Sequence, residues 1–158
     1  MLHSHLTTLN AVSLILNTFK DHGQDGGALL AGSGINPADL SRADTRITTN
    51  QEMLVCANAV ALQRDIGLEL GRRMHVSSYG MLGYALLTSA TLGDALRLAL
   101  RYPALMGTLF ELSLETDGSR IWLTAADYRE SPALAAFNTE FCLCLLYTSD
   151  AADDLLCV

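Results

Sequence analysis

The sequence predicts an α+β fold, with a mainly helical N-terminal part packed on an antiparallel hairpin. Three features carry that prediction. Apolar residues recur at three- and four-residue steps from Leu9 to Tyr102, the pattern of amphipathic helices. The period then drops to two over residues 110–115, and a turn sequence joins that run to a second extended one over residues 120–126. With 158 residues, 50% of them hydrophobic, the chain can bury one sizeable core.

Leu9, Val12, Leu16 and Phe19 share one face of a first helix, expected over residues 6–21 and closed by Gly23. A short second helix carries Ala28, Leu29 and Leu30 and ends at Gly32-Ser33-Gly34. Asn36 before Pro37 is an N-cap signal, because the N–H that proline lacks has no partner in a first turn anyway. Thr49-Asn50-Gln51-Glu52 has the form of a capping box, in which Thr and Glu satisfy each other's free backbone donors. Behind it, Met53, Cys56, Ala57, Val60 and Ala61 form an apolar stripe reaching about Asp65. Ile66, Leu68 and Leu70 continue in a helical piece that ends near Met74.

Thr91 and Asp94 mark the start of another helix, with Leu92, Leu96 and Ala99 on one side, stopped or kinked by Pro103. In the extended run, Phe110, Leu112 and Leu114 alternate with Glu111, Ser113 and Glu115. Residues 116–119 form the turn, and a final helix is expected over residues 134–143. A two-stranded ribbon is marginal alone, so the hairpin is expected to belong to a larger, truncated sheet.

Composition excludes several classes. No apolar run reaches the roughly 18 residues a membrane span requires. The first residues lack a basic leader, and Asn and Thr interrupt their apolar stretch, so they read as a folded helix and not as a secretory signal. Cys56, Cys142, Cys144 and Cys157 make no CxxC pair and no zinc spacing, which fits reduced thiols in the cytoplasm. The net charge is −7, with only 10 Lys and Arg, whereas phosphate contacts need a basic face. These residues by themselves are not expected to bind DNA.

No catalytic constellation emerges, and no cofactor or metal site is assigned. Gly32-Ser33-Gly34 follows a helix, where a dinucleotide loop would follow a strand, so a helix end and turn explains it. His3 and His5 have no partner cluster, and His22 suits a helix C-terminus. Asp65 and Glu69 could pair as carboxylates, but Glu69 also precedes Arg72 and Arg73 at ion-pair spacing. Tyr79, Tyr84 and Trp122 are the candidate ligand-binding residues. For each, burial against a neighbouring element is the plainer expectation, with a covering helix over Trp122 and core packing for the tyrosines.

Taken in order, HGQDGGALLAGSGINPADLSRADTRITTNQ, DIGLELGRRM and YGMLGYALLTSATLGDALRLALRYPALMG resemble the N-terminal, arabinose-binding-type domain of AraC-type transcription regulators. The resemblance covers residues 22–127. It implies that Gly80, Gly83, Tyr84, Thr91, Leu92, Asp94 and Leu96 form a structural motif that shapes a sensor core and carries out no reaction. It further implies a cytoplasmic homodimer, an unidentified small-molecule effector, and DNA contact only through a separate C-terminal helix-turn-helix domain that this chain does not contain. The alternative is a stand-alone ligand-, haem- or metal-binding sensor that uses His75 and has no role on DNA.

The C-terminal stretch CLLYTSDAADDLLCV resembles a translated transposase-based sequencing adapter, which matches Cys144 to Asp153 without a gap. On that reading residues 1–143 are a partial sensing and dimerisation domain and residues 144–158 an artefactual tail. Without Asp150, Asp153 and Asp154 the net charge would move from −7 to −4.

Overall fold

Helix α1 (Asn10–Asp21) buries Val12, Ile15 and Phe19 almost completely, at three- and four-residue spacing. It ends where Gly23 takes a positive φ of 74° and the backbone N–H of Gln24 donates to the carbonyl of Phe19. That left-handed residue closes the last turn at no steric cost, as glycine permits. The helix starts later than the apolar spacing suggested. Residues Leu6–Thr8 instead form β1, which pairs antiparallel with β2 (Arg46–Thr48) in the register Leu6↔Thr48, Thr7↔Ile47, Thr8↔Arg46. Two β-branched threonines favour the extended form, and a partner strand distant in sequence supplies the pairing.

The computed structural model describes residues 6–42, 45–102, 111–118, 120–126 and 134–148. After α1 come the single turn α2 (Gly27–Leu30) and a 3-10 segment, Pro37–Ser41, whose N-cap Asn36 accepts a bond from the N–H of Ala38. Helices α3 (Thr49–Leu62) and α4 (Ile66–Arg73) follow, then a 3-10 turn (Val76–Tyr79), α5 (Gly80–Leu87) and α6 (Leu92–Arg101). Strands β3 (Glu111–Thr116) and β4 (Ile121–Ala126) form the expected hairpin, and α7 (Ala135–Thr148) closes the described chain. The fold is α+β, mostly helical, with two small antiparallel ribbons. Among the described residues no helix is long and apolar enough to cross a membrane.

The capping box of α3 lies one residue earlier than expected. Thr48, not Thr49, accepts from the N–H of Gln51, and the Gln51 side chain accepts from the N–H of Thr48. Its buried face is Glu52, Val55, Cys56 and Ala59, about 100° around the helix from the expected stripe, while Met53, Ala57 and Val60 flank the core. Glu52 is consequently inside.

One cluster joins Val12, Ile15 and Phe19 to Leu29, Ile35, Ile47, Val55, Ile66, Leu70 and Phe137. Helix α7 seats on α4 through two glycines one turn apart. A Cβ built on Gly67 would lie 2.6 Å from the Phe137 carbonyl oxygen, and one on Gly71 would lie 2.6 Å from that of Phe141. Only hydrogen fits at either position, so α7 rests on the α4 backbone itself. Gly83 plays the same part in α5, where a Cβ would collide with the Val76 carbonyl.

In the hairpin, Leu112 and Leu114 are half-buried, while Ser113 and Glu115 face out. Helix α6 packs on β3. Trp122, opposite Glu115, lies on the outward side and is 53% exposed. The expected covering helix is not found among the described residues. The larger sheet is likewise not seen among them. Pro103 and Phe110 lie outside the described residues.

Replacing Gly67 or Gly71 with alanine should lower the stability of the whole chain by about 1–3 kcal/mol in urea titrations, through overpacking against backbone. Gly93→Ala, whose nearest neighbour to a new Cβ is 3.6 Å away, should be neutral or gain up to about 1 kcal/mol.

Candidate functional site

The chemistry-bearing part of the molecule is a cavity of about 270 Å³ between α1, α3, α4, α5 and α7. Each wall follows from a local feature of the sequence. Helix α1 presents Leu14 and Ile15, one position apart on its inner side, and α4 adds Leu70 and Met74. Helix α7, held against the α4 glycines, turns Phe137, Asn138 and Phe141 inward. The 3-10 turn supplies Tyr79, and α5 supplies Met81 and Leu82 at the rim. Asn10 stitches this rim together by donating its side-chain N–H to the Ser78 carbonyl at 2.6 Å.

Two polar groups stand out against these apolar walls. Glu52 is 7% exposed, and its Oε2 has no hydrogen-bond partner, while Thr7 hydrogen-bonds its carboxyl group. Burial pushes the Glu52 carboxyl up to about 7, and the Thr7 bond offsets part of that rise. Asn138 is 8% exposed, and its Nδ2 is likewise without a partner. Unpaired buried polar atoms cost free energy, so natural structures keep few of them without a reason. Thr18 Oγ1 and Glu140 Oε2 share the condition, but neither residue lines the cavity.

The other titratable side chains around the cavity are neutral. Burial raises the Cys56 thiol, and the nearby Glu52 charge adds to that effect. Burial also raises the Tyr79 phenol, and it pushes the Cys142 thiol up to about 12. Among the described residues no Arg, Lys or His lines the space. Neither thiol is an activated nucleophile, since both are driven away from the thiolate form.

The candidate residues fall in different places. Tyr79 lines the cavity, whereas Tyr84 is 65% exposed on the outer side of α5 and Trp122 lies on the hairpin's outer face. Tyr84 does not pack in the core as expected, and no helix among the described residues covers Trp122. Gly80 sits at the cavity rim with a φ of +60°. Thr91 caps α6 by accepting from the N–H of Asp94, and Asp94 in turn pairs with Arg97 at 2.9 Å. Leu92 is exposed and Leu96 half-buried, so this end of the motif forms surface and hairpin contact in place of deep core.

The remaining polar candidates have structural partners. Glu69 pairs with Arg73 at 2.9 Å and meets His22 at 3.1 Å, and Arg73 also pairs with Asp21 at 2.6 Å, tying the end of α1 to α4. Gly32 and Gly34 both have positive φ around the buried Ser33, whose hydroxyl donates to Leu30 and accepts from Ile35. That is a turn. His75 is exposed before the 3-10 turn, and His3 and His5 lie outside the described residues. Among the described residues no group of three His, Cys, Asp or Glu side chains could hold a metal ion.

Sequence reasoning missed Glu52, Asn138 and the cavity. One signal was available. Glu52 heads the series 52, 55, 56, 59, which is a helical face that is otherwise apolar.

Comparison with known proteins defines the class. Residues 23–155 match the family described as the arabinose-binding domain of AraC transcription regulators, N-terminal, and the chain belongs to that family. This is a family of transcription-regulator domains and not of enzymes. The chain is similar to the ornithine utilization regulator of Pseudomonas aeruginosa, 32% identical over 136 residues, covering 85% of this chain and 40% of that protein. It is also similar to uncharacterized HTH-type transcriptional regulators of Mycobacterium bovis and Mycobacterium tuberculosis. Each of these is 28% identical over 148 residues, covering 84% of this chain and 43% of the relative. The chain thus spans about two fifths of the length of these relatives.

The buried carboxyl makes stability depend on pH. Its folded value, about 7, exceeds the ordinary 4.5, so the folded state binds the proton more tightly than the unfolded chain does. The contribution is complete below about pH 4.5 and is lost as pH rises through about 7. Denaturant titrations should show a loss of up to about 3 kcal/mol across that window, at about 1.4 kcal/mol per pH unit. Glu52→Gln should flatten that part of the profile.

Proposed function

We propose that this chain is the effector-sensing and dimerisation part of a cytoplasmic AraC-type transcription regulator, and that the cavity is its effector site. The observation that carries the proposal is that Glu52 and Asn138, each with an unpartnered buried polar atom, both line a mostly apolar cavity inside a domain of this family. A ligand that completes those bonds binds this closed arrangement better than one without the cavity, and so shifts the regulator's equilibrium. The Pseudomonas relative is named for ornithine utilization, which supports a small metabolite as effector.

DNA contact would belong to a helix-turn-helix domain of the whole protein, consistent with the acidic balance of this chain. A second copy would pack on apolar surface that the described residues leave open, namely Met81, Tyr84 and Leu87 on α5 and Leu92 on α6. Trp122 on β4 extends that set.

Thermal unfolding of the full chain against a metabolite library tests the sensing role. At 100 times its dissociation constant an effector should add about 2.7 kcal/mol, a shift of several degrees. Leu14→Trp, which fills the cavity from α1, should abolish the shift while retaining helical circular dichroism. A shift that survives Leu14→Trp unchanged would place the effector elsewhere.

We also infer that the natural reading frame departs from this chain after Leu143. The adapter-like match runs from Cys144 to Asp153, whereas α7 continues to Thr148 and the family match to residue 155. Sequencing genomic DNA across the Leu143 codon separates the two. A frame that continues into further strands and a basic helical pair is expected, and CLLYTSDAADDLLCV followed by a stop codon would refute it.

A further inference from the structure

The cavity's chemistry also specifies its occupant, an inference that rests on the cavity being an effector site. The walls offer aliphatic and aromatic contact from Leu14, Leu70 and Phe141. Of the polar side chains there, two carry unpartnered atoms of opposite character. Glu52 Oε2 is an acceptor without a donor, and Asn138 Nδ2 is a donor without an acceptor. Among the described residues no cationic side chain lines the space, so an anionic head group would meet no counter-charge from them and would face Glu52. A cationic donor meets the opposite situation: a free carboxylate oxygen, shielded from water, that nothing in the described protein neutralises.

We propose that the cavity binds a small organic amine in its ammonium form. The ammonium donates to the free oxygen of Glu52, a hydroxyl or carbonyl oxygen of the same molecule accepts from Asn138, and the intervening alkyl chain lies along Leu14, Leu70 and Phe141. Size limits the candidates. A cavity of about 150 Å³ accommodates benzene, so about 270 Å³ suits roughly ten non-hydrogen atoms. Phosphorylated compounds and free acids are the wrong charge, and sugars leave the apolar walls unused.

Binding is coupled to a proton. Among the described residues, the titratable groups around the cavity besides Glu52 are Cys56 from α3, Tyr79 from the 3-10 turn and Cys142 from α7, all held neutral by burial. The α1, β1, α4 and α5 residues that line the cavity contribute none. Glu52 is therefore the group that responds. In the empty protein its carboxyl titrates at about 7, so an ammonium binding below that value displaces the Glu52 proton into solvent. Affinity for the amine should be roughly tenfold weaker at about pH 6 than at about pH 8, with proton release on the acid side.

The test uses the full chain and isothermal titration with a homologous series of ω-amino alcohols. Each is compared with the diol and the hydroxy acid of the same chain length. The amino alcohols should bind, with an optimum chain length and the pH dependence above, while diols and hydroxy acids bind at least about tenfold more weakly. Glu52→Gln should erase both the amine preference and its pH dependence. This variant removes a buried charge, so it should fold, and the probe selectivity of the unaltered chain needs no variant at all. Diol or hydroxy-acid binding equal to or tighter than that of the amines would overturn the amine assignment while leaving the cavity as an effector site. Absence of binding by the whole amine series would also overturn it. The effector site itself falls only if the metabolite library also gives no shift sensitive to Leu14→Trp.

Discussion

The seating of α7 on α4 is the contact on which the rest of the structure depends. Gly67 and Gly71 let the α7 backbone approach so closely that Phe137, Asn138 and Phe141 reach the space beneath α1 and α3. Side chains larger than hydrogen at those two positions would hold the helix away and open that wall to water. The same contact brings Phe137 into the core cluster and keeps Phe141 packed against it. One pair of glycines therefore couples core packing to cavity shape, and the absence of two Cβ atoms has a positive structural role.

Within that frame, burying Glu52 carries a free-energy cost. A capping-box glutamate would sit in solvent at a helix N-terminus, where its charge is welcome. The Thr48–Gln51 box takes over the capping role and leaves Glu52 in the next position, on the buried face. Burial disfavours its ionised form, and one Thr7 bond recovers only part of the loss. The β1–β2 ribbon matters here, because pairing of Thr7 with Ile47 holds that threonine above the α3 N-terminus. The inner face of α3 and a three-residue strand together form the polar end of the cavity.

Much of the fold was legible in the sequence because its signals are local. Asn36, Thr91 and the glycines at 23, 32 and 34 act on neighbours within a few residues, and the structure uses them as read. The hairpin was legible too, since a period of two and a turn are both short-range patterns. Nonlocal features were harder to read. β1 depends on a partner strand about forty residues away, and its threonines follow on into an apolar helical spacing. Thr48 and Thr49 both satisfy the capping pattern, with Gln51 and Glu52 as respective partners, and only tertiary packing selects between them. The cavity was illegible for the same reason, because its walls come from five helices whose mutual placement no spacing rule supplies. Tyr79 alone of the three aromatic candidates faces it.

The placement of α5 relates the cavity to the open surface. Gly80 starts this helix with a backbone conformation that side chains resist, and Gly83 presses it against the Val76 carbonyl. The helix is thus fixed at one face by contacts that tolerate little displacement. Leu82 points to the cavity, while Tyr84 and Leu87 point to solvent on the same two turns. Leu82 and the outward residues share one eight-residue helix, so the packing at the cavity and the open surface are set by the same element. Under the sensing proposal, effector binding and partner contact meet in α5. On that proposal the coupling would run through this one helix and would need no longer path.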